Sequence, residues 1–141
     1  MINDGLKLTG KLKIALNGET VQEVDNLVVT DGKGYVASRM KDTAADVMSH
    51  MAIGSGSTAA AAGNSSLGTE LGRVALTSTA VSGAVVTYTA TFAAGTGTGA
   101  VTEAGILNAS SSGDLLCRTV FSVVNKGASD SMTITWTVTV S

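Results

Sequence analysis

Residues 132–141 read MTITWTVTVS, and this run decides the fold class. Met132, Ile134, Trp136, Val138 and Val140 fall on one side of an extended chain; Thr133, Thr135, Thr137 and Thr139 fall on the other. A period of two belongs to a strand, because successive side chains point to opposite faces. The apolar row predicts one buried face, with Trp136 in the core. Threonine suits the pleated face turned to solvent or to a partner.

The same pattern recurs on working back along the chain. Leu115 to Val124 and Val101 to Asn108 read as strands, separated by turns at Ser110–Asp114 and at Asn125-Lys126-Gly127. Val86, Tyr88, Ala90 and Phe92 alternate with Val85, Thr87, Thr89 and Thr91 after a Ser82-Gly83 turn, and Val47 to Ile53 forms another strand. Thr58 to Leu67 is an Ala/Gly/Ser/Asn loop, and Leu67 to Leu76 carries Glu70 and Arg73 toward the next extended segment. Near the start, Leu6, Leu8, Leu12, Ile14 and Leu16 alternate with Lys7, Lys11 and Lys13 before Asn17-Gly18, a strong two-residue hairpin signal. Between these regions, Thr30 or Asp31 is placed to cap a short helix near 32–41, with Tyr35, Val36, Arg39 and Met40 at helical spacing. Two glycines weaken that helix, so it depends on tertiary contacts.

About eight short strands with turns between them predict a mainly β protein. The expected fold is an antiparallel, jelly-roll-like β-sandwich with one short helix and an N-terminal β-hairpin arm. The domain reading is a hairpin arm over residues 1–26 and a sandwich over 27–141. Proline is absent, so the edge strands lack a common guard against pairing, and pairing with a neighbouring subunit is expected.

Composition narrows the function. The charged fraction is 14%, against roughly 25% in an average domain, and net charge is −2. That balance lacks the basic footprint of a nucleic-acid binder. Lys7, Lys11, Lys13, Lys33, Arg39 and Lys41 hold most of the positive charge in the first third; the rest is nearly neutral and rich in Thr, Ser, Ala and Gly. Such a surface loses little charge hydration when it docks. No apolar run approaches the roughly 18 residues of a membrane span, and the first residues do not read as a signal peptide.

No pattern for catalysis emerges. The stretches GSGS (54–57) and GTGTG (95–99) lack the lysine and helix of a phosphate loop. His50 is the single histidine, without acidic residues at ligand spacing after it, and reads as a packed or surface side chain. Cys117 is the single cysteine, in an apolar run, and reads as a small core residue; no intrachain disulfide can form. Neither cofactor nor metal is expected. Glu70, Arg73, Glu103 and Arg118 stand out as charges in a neutral, apolar half, and a buried charge needs a partner. They are expected to form one or two partly buried ion pairs that fix strand register or a subunit contact.

Several motifs then recur in a familiar order: NLVVTDGKGYVASRM (26–40), SHMAIGSGSTAA (49–60), LGTELGRVAL (67–76), VTEAGILNA (101–109), LLCRTVF (115–121) and NKGASDSMTITWTVTVS (125–141). This order resembles that of small tailed-bacteriophage virion proteins, namely head-decoration (cement) proteins and tail-collar-type fibre domains. It spans more than three quarters of the chain, and it is the shared order that carries weight. The resemblance implies a non-enzymatic virion protein, with Glu70, Arg73, Glu103 and Gly105 as framework positions.

The leading expectation is a capsid decoration protein. It would be assembled in the host cytoplasm onto the phage head, binding the major capsid protein lattice and associating with itself, with no nucleic-acid or membrane partner. Lys7, Lys11 and Lys13 are the candidate capsid contacts. A tail, baseplate or fibre-adaptor role is the alternative. A glycan-binding module is disfavoured because Trp136 shares its face with core residues.

Overall fold

The computed structural model describes residues 5–41 and 46–141. Ten strands and one helix follow one another: β1 Leu8–Leu16, β2 Glu19–Asp25, β3 Leu27–Val28, α1 Thr30–Met40, β4 His50–Gly54, β5 Glu70–Ala75, β6 Ser78–Ser82, β7 Val85–Phe92, β8 Gly99–Leu107, β9 Leu115–Lys126 and β10 Met132–Val140. They form two antiparallel five-stranded sheets, ordered β2-β1-β10-β7-β6 and β3-β9-β8-β4-β5, in a sandwich-like arrangement.

The strand read first from sequence, β10, is the centre of the first sheet, flanked by β1 and β7. Its apolar row faces the second sheet. Trp136 stands opposite Leu12 on one side and Tyr88 on the other, and Ile134 stands between Ile14 and Ala90. Met51, Ile53, Val101, Ala104, Ile106 and Cys117 complete the core from the second sheet. The threonine row faces outward, where Thr91 and Thr133 share a 3.0 Å hydroxyl contact.

Turn chemistry fixes the register. Asn17 and Gly18 both have positive φ (51° and 84°), the conformation of the tight hairpin turn joining β1 to β2. That hairpin lies within the first sheet: β1 pairs with β10 from Leu8 to Leu16, and Lys7 and Ser141 exchange backbone hydrogen bonds at 2.7 and 2.9 Å. The chain then crosses to the second sheet after Asp25. Residues 1–4 of the expected arm lie outside the described residues.

Three local expectations need correction. The helix starts at Thr30 with Val29 as its N-cap, and no side chain caps it. Asp31 instead accepts a 2.8 Å hydrogen bond from the Leu115 backbone N–H, so its carboxylate ties the helix to β9. The strand expected from Val47 begins at His50. Finally, β3 and β6 raise the strand number to ten; β6 is exposed along its length and has no apolar alternation to betray it.

The second sheet is covered on its outer face as well. Val29, Ala52, Leu67, Leu107 and Leu115 form a small second core there, beneath the 55–69 loop. This explains why β8 is buried on both faces over Glu103–Leu107.

Candidate functional site

The 55–69 loop brings only one large apolar side chain, Leu67, to that outer core. Its backbone must therefore find polar partners. Glu103 provides them from β8, with no solvent exposure (0%). Its Oε2 accepts hydrogen bonds from Gly56 N–H (2.6 Å) and Thr69 N–H (2.7 Å); its Oε1 accepts from Gly68 N–H (2.7 Å) and Arg118 Nε–H (3.0 Å). Arg118 is equally buried and extends the clamp. Its Nη1 donates to Asn64 Oδ1 and its Nη2 to the Thr58 carbonyl, both at 3.0 Å. Thr102 adds a 2.8 Å hydrogen bond from Oγ1 to the Gly56 carbonyl.

Register brings the pair together, because Gly105 lies opposite Arg118 on β9 and Glu103 is two residues back on the same face of β8. Glycine makes the close approach possible. A Cβ at Gly56 would stand 2.4 Å from Glu103 Oε2, and one at Gly54 would stand 2.6 Å from it. The loop also meets the helix, since Thr30 N–H donates to the Ala62 carbonyl at 2.8 Å.

The second pair forms at the far edge of the same sheet. Arg73 donates to Glu70 through Nη2 (2.7 Å) and Nε (3.1 Å), and through Nη1 to the carbonyls of Ala109 and Ser112, both at 2.9 Å. The four charges thus make two separate pairs: one deep pair holding the 55–69 loop, and one at the surface holding the turn between β8 and β9.

The lysines lie elsewhere. Lys11 and Lys13 face outward from β1, opposite Asp25 and Glu23 of β2, so their face carries rows of both signs. Lys7 lies before β1 and lines a groove of about 410 Å³ between the start of β1 and α1. Leu6, Leu8, Val36 and Met40 line its apolar part, and Lys33 lines it as Lys7 does.

Both oxygens of Glu103 are filled by donors and neither reaches solvent, so this carboxylate holds architecture. Burial acts to raise its pKa; the N–H groups of Thr69, Gly68 and Gly56, with Arg118, outweigh burial and hold it below the ordinary carboxylate value. Its contribution to stability is therefore complete above the unfolded value of about 4.3 and is lost as pH falls through the lower folded value. Asp130 is also held low, first by the Asn17 amide and then by Gly127 N–H. Urea midpoints of the Asp130→Asn variant should hold level from neutral pH down to about 5 and fall steadily below about 4. A midpoint flat through that acid range would remove Glu103 from the account.

The remaining singled-out residues are quiet. Cys117 is fully buried, and burial pushes its thiol up. His50 is half-buried with Nδ1 at 2.8 Å from Ser49 Oγ. Among the described residues, no three His, Cys, Asp or Glu side chains gather as a metal site would require.

Sequence reasoning missed Asn64, whose place in the clamp comes only from loop folding. It also missed Lys126, which looked like a turn residue but is buried, with Nζ donating to the Ala93 carbonyl at 2.9 Å. The Asn-Lys-Gly signal concealed it. No family model, curated protein or solved structure matches the chain. Fold and site together define a β-sandwich whose deepest ion pair clamps a long covering loop.

Proposed function

We propose that this chain is a structural protein of a tailed-bacteriophage particle, and specifically a capsid decoration (cement) protein that binds the major capsid protein lattice and stabilises the head. It acts by adding interface, without catalysing a reaction. The observation that carries the binding surface is the groove at Lys7 and Lys33. Leu6 and Met40 stand 72% and 83% exposed beside it, an apolar surface that gains free energy when covered. Its lysines favour an acidic, apolar segment of the capsid subunit.

The Lys11 and Lys13 row contributes less to this reading, because Asp25 and Glu23 run alongside. The order of motifs supports the assignment to a virion, and the clamped loop supplies a rigid framework for it. A standard interface buries about 1,200–2,000 Å², and repetition over a lattice multiplies a modest contact.

A tail, baseplate or fibre-adaptor role is the second reading, favoured by the same motif order in tail-collar-type domains. Copy number separates the two. Quantitative mass spectrometry of purified particles should give a simple lattice fraction of the major capsid protein for a decoration protein. A handful of copies would move the chain to the tail, and its absence from particles would end both readings. Met40→Asp with Lys33→Glu should then reduce cosedimentation with undecorated heads without lowering the thermal midpoint.

A further inference from the structure

The two sheets end in four edge strands, and these are guarded very differently. An edge presents unpaired backbone N–H and C=O groups, which monomeric proteins blunt with charge, proline, bulges or shortness. β3 is two residues long. β2 carries Glu19, Glu23 and Asp25, and β5 carries the Glu70–Arg73 pair. β6, reading Ser78-Thr79-Ala80-Val81-Ser82, has no charge and no proline, and keeps unbroken register with β7 throughout.

Its side chains point the same way. Register places Gly10, Val138, Val86 and Val81 in one row across the inner face of the first sheet. Along that row Val138 is buried, Val86 is half-buried and Val81 is 74% exposed. The outermost strand of the second sheet, β5, lies against β7. The covering layer therefore stops short of β6, and an inward-facing valine is left in water.

We propose that β6 is the seam of a homodimer, in which two copies of this chain pair their β6 strands antiparallel about a two-fold axis at Ala80. The segment is complementary to itself in that register: Ser78 meets Ser82, Thr79 meets Val81, and Ala80 meets Ala80 of the other copy. Val81 and Thr79 are β-branched neighbours on one face, a favourable cross-strand pair. No charge is brought against another, whereas β2 against β2 would set carboxylates together. A two-fold axis uses the same patch twice, as isologous dimers do. Five paired residues fall short of a standard interface, so the dimer is a weak one, and any lattice that concentrates the chain drives it further. The inference does not depend on the capsid reading and is tested on the purified chain alone.

Sedimentation velocity across the micromolar range should show a monomer–dimer equilibrium. Val81→Lys should weaken it at least tenfold, and Val21→Lys on the β2 edge should leave it unchanged. Both positions are exposed, so at concentrations where the parent is monomeric the thermal midpoints should match it. Ala80→Cys should form a covalent dimer on mild oxidation, because facing Cα atoms in an antiparallel pair lie about 4.5–5.5 Å apart, within disulfide reach. Cys117 is buried and stays out of that reaction. A chain that remains monomeric throughout overturns the proposal. So does an oligomer of any size that ignores Val81→Lys and gives no Ala80→Cys cross-link.

Discussion

Glu103→Ala is expected to destabilise the protein by about 3–5 kcal/mol, the usual cost of leaving one member of a buried ion pair without its partner. The loss has two sources. Arg118 keeps its charge in a site without solvent, and the N–H groups of Gly56, Gly68 and Thr69 lose their acceptor. Against a total stability of about 5–15 kcal/mol, the variant would stand close to unfolding. Urea denaturation measures the loss, and limited proteolysis locates it, with cleavage appearing first within 55–69.

Glu103→Gln should recover little, because its amide nitrogen brings a donor to a cluster of donors. Removing Arg118 as well should cost less than the sum of the single changes, since the second change removes the stranded charge. A loss below about 1 kcal/mol for Glu103→Ala would mean that water replaces the carboxylate, and the clamp would lose its importance.

Gly32→Ala should also be strongly destabilising, by about 2–3 kcal/mol, although the same change inside a helix ordinarily gains about 1 kcal/mol. Gly32 lies where α1 crosses β9. A Cβ there would stand 2.1 Å from the Leu116 carbonyl oxygen and 2.8 Å from its carbon. Those atoms belong to the backbone of a strand paired on both sides and cannot swing away as a side chain could. Gly34, two residues on, has nothing within 4 Å of an added Cβ. Gly34→Ala should therefore stabilise by up to about 1 kcal/mol. Thermal melts of the two variants side by side test the helix crossing directly; equal shifts in the same direction would show that the helix rides freely on the sheet.

Features readable from sequence were those whose cause is local. Alternation in 132–140 gave β10 its face, Asn17-Gly18 gave the first hairpin, and the two helix glycines signalled dependence on tertiary contacts. Glu70, Arg73, Glu103 and Arg118 could be expected to form one or two ion pairs because charge is rare in their half of the chain. That Glu103 and Arg118 clamp 55–69 could not be expected, because three backbone N–H groups converge only once the loop has folded. Asp31 shows the same limit in reverse. Its position resembled a cap, but Leu115 N–H offered the better partner from across the fold. β6 escaped because an edge beyond the covering layer needs no apolar alternation.

The place of β10 between β1 and β7 also governs the order in which the molecule can be assembled on the ribosome. β1 emerges early, yet of its two partners, β2 and β10, the second follows every other described strand. Pairings this distant in sequence close slowly. Until β10 arrives, β1 has no neighbour on its open edge, while β8 and β9 can already pair locally. Closure of the first sheet thus waits on β10, the strand that joins the β1-β2 hairpin to the β6-β7 hairpin.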